Sequence, residues 1–132
     1  MGRYFNLDTG LFEQAPPMKT KRTGHTATVV AEAGVVVVIG GVEKFTNVLA
    51  TCEVFDIKEG VWAAGKVPNM KYKRGDHSAT LVDGCRIVVA GGRERMVFLK
   101  ATEVYDLRKN EWSAGGDLPF PRAQHGHSMF YL

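Results

Sequence analysis

The sequence predicts an all-β fold built from repeated antiparallel units, and three observations support this. The 132-residue chain contains 15 glycines without a collagen-like period, which is typical of many short strands joined by tight turns. Residues 50–65 (ATCEVFDIKEGVWAAG) align without a gap on residues 100–115 (KATEVYDLRKNEWSAG), at an offset of 50 residues. Glycine and proline also interrupt the valine-rich runs so often that no helix of ordinary length fits.

The repeat extends beyond this alignment in both directions. At nearly the same offset, pairs of glycines and single histidines recur: Gly40-Gly41 and Gly91-Gly92, and His25 and His77. The connectors PPMKTKR, VPNMKYKR and LPFPR each precede a short segment that ends in histidine. We therefore expect three registers of one structural unit along the chain.

Each unit is predicted to contain four strands. Two β-rich runs come first (HTATVVA then GVVVVIGG, or HSATLVD then CRIVVAGG), separated by a hairpin signal at Ala33-Gly34 or at Gly84. After a loop come CEVFDI or TEVYDL, a turn, and VWAAG or EWSAG. Aromatic residues seven positions apart fall on the last two strands, where they are expected to fill the space between stacked sheets: Phe5 and Phe12, Phe55 and Trp62, Tyr105 and Trp112.

In this combination the residues resemble the kelch repeat: a histidine start, a hydrophobic strand ending in Gly-Gly, an aromatic residue before Asp, and Trp seven residues later. The resemblance implies four-stranded blades of a β-propeller. It divides residues 1–132, taken as a single kelch-repeat region, into a partial blade at 3–22, full blades at 23–74 and 75–122, and a first strand at 123–132.

This count gives an incomplete ring, because propellers close with about four to eight blades. We expect the chain either to belong to a longer propeller, which is the favoured interpretation, or to assemble with other chains. Exposed strand edges and apolar faces on the end blades would support self-association.

The chemistry-bearing residues predict no catalytic, cofactor or metal site. His25, His77 and His127 hold equivalent repeat positions, where bonding between blades is expected, and His125 and His127 lack a third ligand for zinc. The carboxylates also repeat in register, at Glu53, Asp56, Glu103 and Asp106, whereas a catalytic group is expected once. The alternative is a fragment of a galactose-oxidase-like or sugar-active propeller whose catalytic residues lie outside these positions.

Charge, apolar runs and cysteine spacing indicate which other classes of partner and which cellular location to expect. The net charge of +3 is spread along the chain, and no arginine-rich arm or zinc-finger spacing predicts nucleic-acid binding. The longest strongly apolar run, 34–39, is too short to cross a membrane, and the first ten residues lack a secretory pattern. Cys52 and Cys85 show no ligand spacing and are expected as small core residues, so the predicted location is cytoplasmic.

The predicted function is a scaffold or adaptor that binds a protein partner, with a structural assembly subunit as a further alternative. The loops VEKFTNVLA and RERMVFLKA differ in charge and shape, as recognition loops on a rigid scaffold do. The resemblance also implies that arginines between blades contact acidic segments of partners, because a guanidinium binds a carboxylate with two parallel donors. The candidate partner-binding residues are Arg22, Arg74, Arg122, Arg93, Arg95, Phe45, Asn47 and Phe98. For Arg22, Arg74 and Arg122 the alternative is bonding to carbonyl groups of the following blade.

Overall fold

The computed structural model describes residues 3–6, 11–14 and 16–117, and this part of the chain is all-β apart from one short 3-10 turn at Ala31–Ala33. In chain order the strands are β1 (Arg3–Asn6), β2 (Leu11–Gln14), β3 (Thr26–Val30), β4 (Val35–Ile39), β5 (Val42–Glu43), β6 (Asn47–Val48), β7 (Cys52–Asp56), β8 (Val61–Ala64), β9 (Ser78–Val82), β10 (Arg86–Ala90), β11 (Arg93–Glu94), β12 (Val97–Phe98), β13 (Thr102–Asp106) and β14 (Glu111–Ala114).

Two four-stranded antiparallel sheets form the body of the molecule. The first sheet has the order β3-β4-β7-β8, and the second has the order β9-β10-β13-β14. β1 and β2 pair as a separate hairpin, with Phe5 opposite Phe12. The predicted all-β fold with four antiparallel strands per unit is therefore confirmed, and the sheets form an open arrangement.

The core lies between the two sheets, where β3 packs against β9. Val37 and Ile39 on β4, and Ile87 and Val89 on β10, are fully buried. They belong to one hydrophobic cluster that also includes Met70 from the connector between the sheets. Because successive side chains point to opposite faces of a strand, the two buried residues of β4 share one face of their sheet, and so do those of β10. These are the faces that form the core.

The aromatic pairs predicted on the last two strands face each other across β7–β8 and β13–β14. The ring centroids of Phe55 and Trp62 are 5.0 Å apart, and those of Tyr105 and Trp112 are 5.2 Å apart. Each indole N–H donates to a proline carbonyl in the connector that enters its sheet, Trp62 to Pro16 and Trp112 to Pro68, both at 2.7 Å. These hydrogen bonds therefore attach each connector to the outermost strand of the sheet that it enters.

The hairpin turns between the first two strands of each sheet lie where they were predicted. Gly34 follows the 3-10 turn with φ of 67°, and Asp83 and Gly84 both have positive φ. The diglycines allow a close backbone approach: a Cβ on Gly40 would lie 2.5 Å from the Arg74 carbonyl oxygen. Cys52 and Cys85 are free and buried, which agrees with their predicted place in the core.

Two short hairpins lie in segments that the sequence treats only as loops. β5–β6 and β11–β12 project from the ends of β4 and β10, and each is anchored at its base to the preceding connector. Thr23 and Val42 exchange backbone hydrogen bonds of 3.0 and 2.7 Å, and Gly75 and Arg93 exchange bonds of 3.0 and 2.9 Å. The variable loops are therefore ordered projections.

Within the described residues, no helix has the length and apolar character needed to cross a membrane.

Candidate functional site

The predicted connector arginines Arg22 and Arg74 are buried, each against the four-stranded sheet that follows it in the chain. The Arg74 side chain is fully buried, and its Nη1 donates to the carbonyl oxygens of Gly91 and Ala101 at 2.9 and 2.8 Å. Its Nη2 donates to Glu103 at 2.8 Å. Partner contact needs an exposed guanidinium, so these contacts instead match the alternative interpretation, bonding to carbonyl groups of the following sheet.

Arg22 repeats this arrangement in the first sheet. Its Nη1 donates to the carbonyl oxygens of Gly40 and Thr51, both at 2.9 Å, and its Nη2 donates to Glu53 at 2.8 Å. We therefore leave Arg22 and Arg74 out of the candidate surface. Arg122 lies outside the described residues.

The repeated carboxylates have structural partners in both sheets. Glu53 accepts backbone N–H bonds from Lys19 and Thr20, and Glu103 accepts them from Lys71 and Tyr72. Each glutamate therefore joins a connector to the third strand of its sheet.

Asp56 and Asp106 accept backbone N–H bonds within the following turns, for example from Glu59 and Lys109. Among the described residues, no three His, Cys, Asp or Glu side chains form a group that could hold a metal.

His77 joins the two sheets. Its Nε2 lies 2.9 Å from the hydroxyl of Thr26 on β3, and the side chain is buried beside Arg74 and His25. Burial, with smaller contributions from the Arg74 charge and from His25, lowers the pKa of His77 to about 3. Burial also lowers the pKa of His25, and the Arg22 charge adds to that shift. Both histidines are therefore held neutral in the fold.

We expect stability to fall as the pH is lowered below about 6.5. The unfolded chain binds a proton on His77 near its ordinary pKa of 6.5, whereas the folded chain does so only near 3. Between these values the unfolded state binds more protons, so acid favours unfolding. For this one histidine the expected loss between pH 7.5 and 5 is about 2 kcal/mol.

Urea unfolding at these two pH values checks this prediction. The variant His77→Gln keeps a hydrogen-bonding side chain without the titration, and its loss of stability should be smaller by about the same 2 kcal/mol. Equal losses in the wild type and the variant would contradict the assignment.

The tips of the two short hairpins carry the most exposed large apolar side chains of the described chain. Phe45 at the tip of β5–β6 is 99% exposed, and Met96 at the tip of β11–β12 is 87% exposed. Val97 and Phe98 on β12 are also more than half exposed. Adjacent apolar side chains that gain no burial from folding are typical of an interaction surface.

The hairpins enclose two adjoining depressions. The larger, of about 430 Å³, has Phe45, Val48 and Met96 as apolar walls and Arg95 on its border. The smaller, of about 270 Å³, is bordered by Lys73, Glu94 and again Arg95. We call the two together the hairpin cleft, since they share Thr46, Val48 and Arg95.

The structure brings several of the predicted loop residues together around this cleft. Arg93, Arg95 and Phe45 border the larger depression, and Asn47 borders the smaller one. Arg93 is already paired, because its Nε donates to Asp76 at 3.0 Å. Asn47 donates to Glu43 at 3.0 Å across its hairpin, and Phe98 lies opposite Arg93 in the β11–β12 register.

Sequence reasoning missed Met96 and Lys73. Met96 follows Arg95 in the variable loop, and its place at a hairpin tip depends on β11–β12, which the sequence did not predict. Lys73 belongs to the repeated connector and reaches the cleft beside the buried Arg74. No signal in the sequence marks Lys73, because a lysine precedes the connector arginine in both units, as Lys21-Arg22 and Lys73-Arg74.

The comparison with protein families agrees with these observations. The kelch motif matches residues 74–119, which span the second sheet together with the arginine that precedes it. A comparison with curated proteins found no match. The first sheet has the same strand order as the second, and its Arg22–Glu53 pair corresponds to Arg74–Glu103. The chain therefore carries a kelch motif at residues 74–119, and the all-β architecture of the described residues is consistent with a kelch-repeat family.

Proposed function

We propose that the chain is a protein-interaction module, a scaffold or an adaptor, and that it binds its partner through the hairpin face, formed by the hairpins β5–β6 and β11–β12 with Lys73 beside them. The observation that carries the proposal is the exposure of Phe45 and Met96 at neighbouring tips around one cleft. Kelch repeats are usually non-enzymatic binding modules, which supports the same conclusion. The buried free cysteines are compatible with the cytoplasmic location that we propose.

The charge of this face supports an acidic or mixed partner segment. Within the described residues, Arg95 and Lys73 border the cleft without an ion pair, whereas the buried Arg22 and Arg74 are paired with glutamates. A free guanidinium at the border of an apolar depression suits a carboxylate, since it offers charged donors in a fixed plane.

Charge reversal at Arg95 tests this proposal. The wild type, Arg95→Glu and Lys109→Glu would serve as baits in a cell extract, and the captured proteins would be quantified by mass spectrometry. Lys109 is an exposed cation in the turn between β13 and β14, so its reversal matches the change of charge away from the hairpin face. Partners of the wild type should be reduced about tenfold on Arg95→Glu, because an arginine at an interface often contributes more than 1 kcal/mol.

Partners should remain on Lys109→Glu, and equal capture by Arg95→Glu would contradict the proposal. Light scattering of each bait over a tenfold dilution distinguishes the assembly alternative. A structural assembly subunit would keep one oligomeric mass in all three proteins and would capture nothing that depends on Arg95.

A further inference from the structure

The tip of β5–β6 holds a strained backbone that folding does not explain. The Thr46 amide donates to the Lys44 carbonyl at 2.8 Å, which closes a three-residue turn, and Phe45 at its centre has φ of 69°. A γ-turn with positive φ is rare and strained. Phe45 gains no compensating burial, because its side chain is 99% exposed.

The backbone at the tip of β11–β12 is strained in a similar way. Glu94 pairs with Val97, so Arg95 and Met96 form a two-residue turn, and Arg95 has φ of 58°. Hairpins of this length strongly favour glycine or asparagine at positions with positive φ. Arg95 has no hydrogen bond or ion pair with other described residues that would offset the strain. Local strain of this kind accumulates at ligand-contacting positions.

The two strained residues meet at one place. Phe45 lines the apolar depression, and Arg95 lies where the apolar and polar depressions join. The apolar part therefore adjoins Arg95 and Lys73, two cations that form no ion pair with any other described residue. Glu94 borders the same polar part, so a second carboxylate bound there would meet a like charge.

We propose that the hairpin cleft binds an extended segment of a partner protein in which one large apolar side chain stands two residues from a single carboxylate. This specificity rests on the proposed function of the hairpin face. The apolar side chain lies between Phe45 and Met96, and the carboxylate lies against Arg95 and Lys73. In an extended segment, residues i and i+2 point to the same side about 7 Å apart, a spacing that suits two adjoining depressions.

Selection of random heptapeptides displayed on phage against the full chain tests the specificity. We expect the selected peptides to combine a large apolar residue with Asp or Glu two positions away. Synthetic fluorescent copies would then be titrated by anisotropy with the wild type, Phe45→Gly and Arg95→Gly. Either substitution should weaken binding at least tenfold, while the melting temperature stays unchanged or rises by a few degrees because glycine relieves the strain.

Two controls make the result specific. Asp83→Gly changes another exposed residue with positive φ, in the turn between β9 and β10, and should leave peptide affinity unchanged. Replacing the peptide's Asp by Asn should weaken binding about tenfold to the wild type but clearly less to Arg95→Gly, because that variant has already lost the contact with Arg95 and keeps only the one with Lys73.

The outcomes separate this inference from the proposed function. Peptides that need Phe45 and Arg95 but show no apolar and acidic pairing would overturn the inference and leave the interaction face standing. Peptides that bind equally to all variants, or a selection without enrichment, would overturn both. A fall in melting temperature with Phe45→Gly would also overturn the inference, since it would show that Phe45 serves the fold.

Discussion

Replacing Glu103 by alanine is expected to destabilise the protein by about 3–5 kcal/mol, the typical cost of removing one partner from a buried ion pair. Glu103 binds the fully buried guanidinium of Arg74 and accepts the backbone N–H groups of Lys71 and Tyr72. The alanine variant leaves a positive charge and two amides inside the protein without their acceptor. Urea unfolding at pH 7.5 would measure the loss.

Two variants control this prediction. Glu111→Ala removes an exposed carboxylate from β14 and should change the free energy of unfolding by less than about 0.5 kcal/mol. The double variant Arg74→Met with Glu103→Leu should lose less stability than Glu103→Ala, because it leaves no unpaired charge. A loss below 1 kcal/mol for Glu103→Ala would show that the pair does not hold the connector.

Alanine at Gly40 is expected to destabilise the protein by roughly 3 kcal/mol or more, whereas alanine at Gly34 should cost about 1 kcal/mol. The two glycines have nearly the same backbone conformation, with φ of 64° and 67°. A Cβ on Gly40 would lie 2.5 Å from the Arg74 carbonyl oxygen and 3.0 Å from His77, whereas a Cβ on Gly34 would meet nothing within 4 Å.

A comparison of the two variants therefore separates the effect of the close contact at Gly40 from the cost of a positive φ, which both positions share. Thermal and urea unfolding of both variants would give the difference directly. Equal losses would mean that the connector can move away from Gly40, and that the packing between the two sheets is looser than these distances indicate.

The fold could be read from the sequence because its main signals are local and occur twice. The valine-rich strands β4 and β10, the turn glycines and the aromatic pairs recur in one register, so each unit supports the assignment of the other. The short hairpins could not be predicted in the same way. Their tips carry Phe45 and Arg95 at positive φ, where the residues that usually mark a turn are glycine and asparagine.

The candidate site was predicted only in part, because an arginine in the sequence does not show whether its charge is buried. Arg22 and Arg74 resemble exposed connector cations until their pairing with Glu53 and Glu103 is known. The parallel recurrence of arginine and glutamate was the available signal, since residues that repeat together usually serve the fold. Phe45 and Arg95 lie in the loops whose sequences differ between the two units, and that difference indicated that these loops bind a partner.

Hydrogen–deuterium exchange of the chain, with and without the protein most depleted by Arg95→Glu, would show whether the partner binds the hairpin face. We expect slower exchange of the backbone amides at 42–48 and 93–98 in the complex, with no change in the turns at 57–60 and 107–110 on the opposite ends of the strands. Protection confined to those turns, or to β8 and β14, would show that the partner binds elsewhere and would contradict the assignment of the hairpin face.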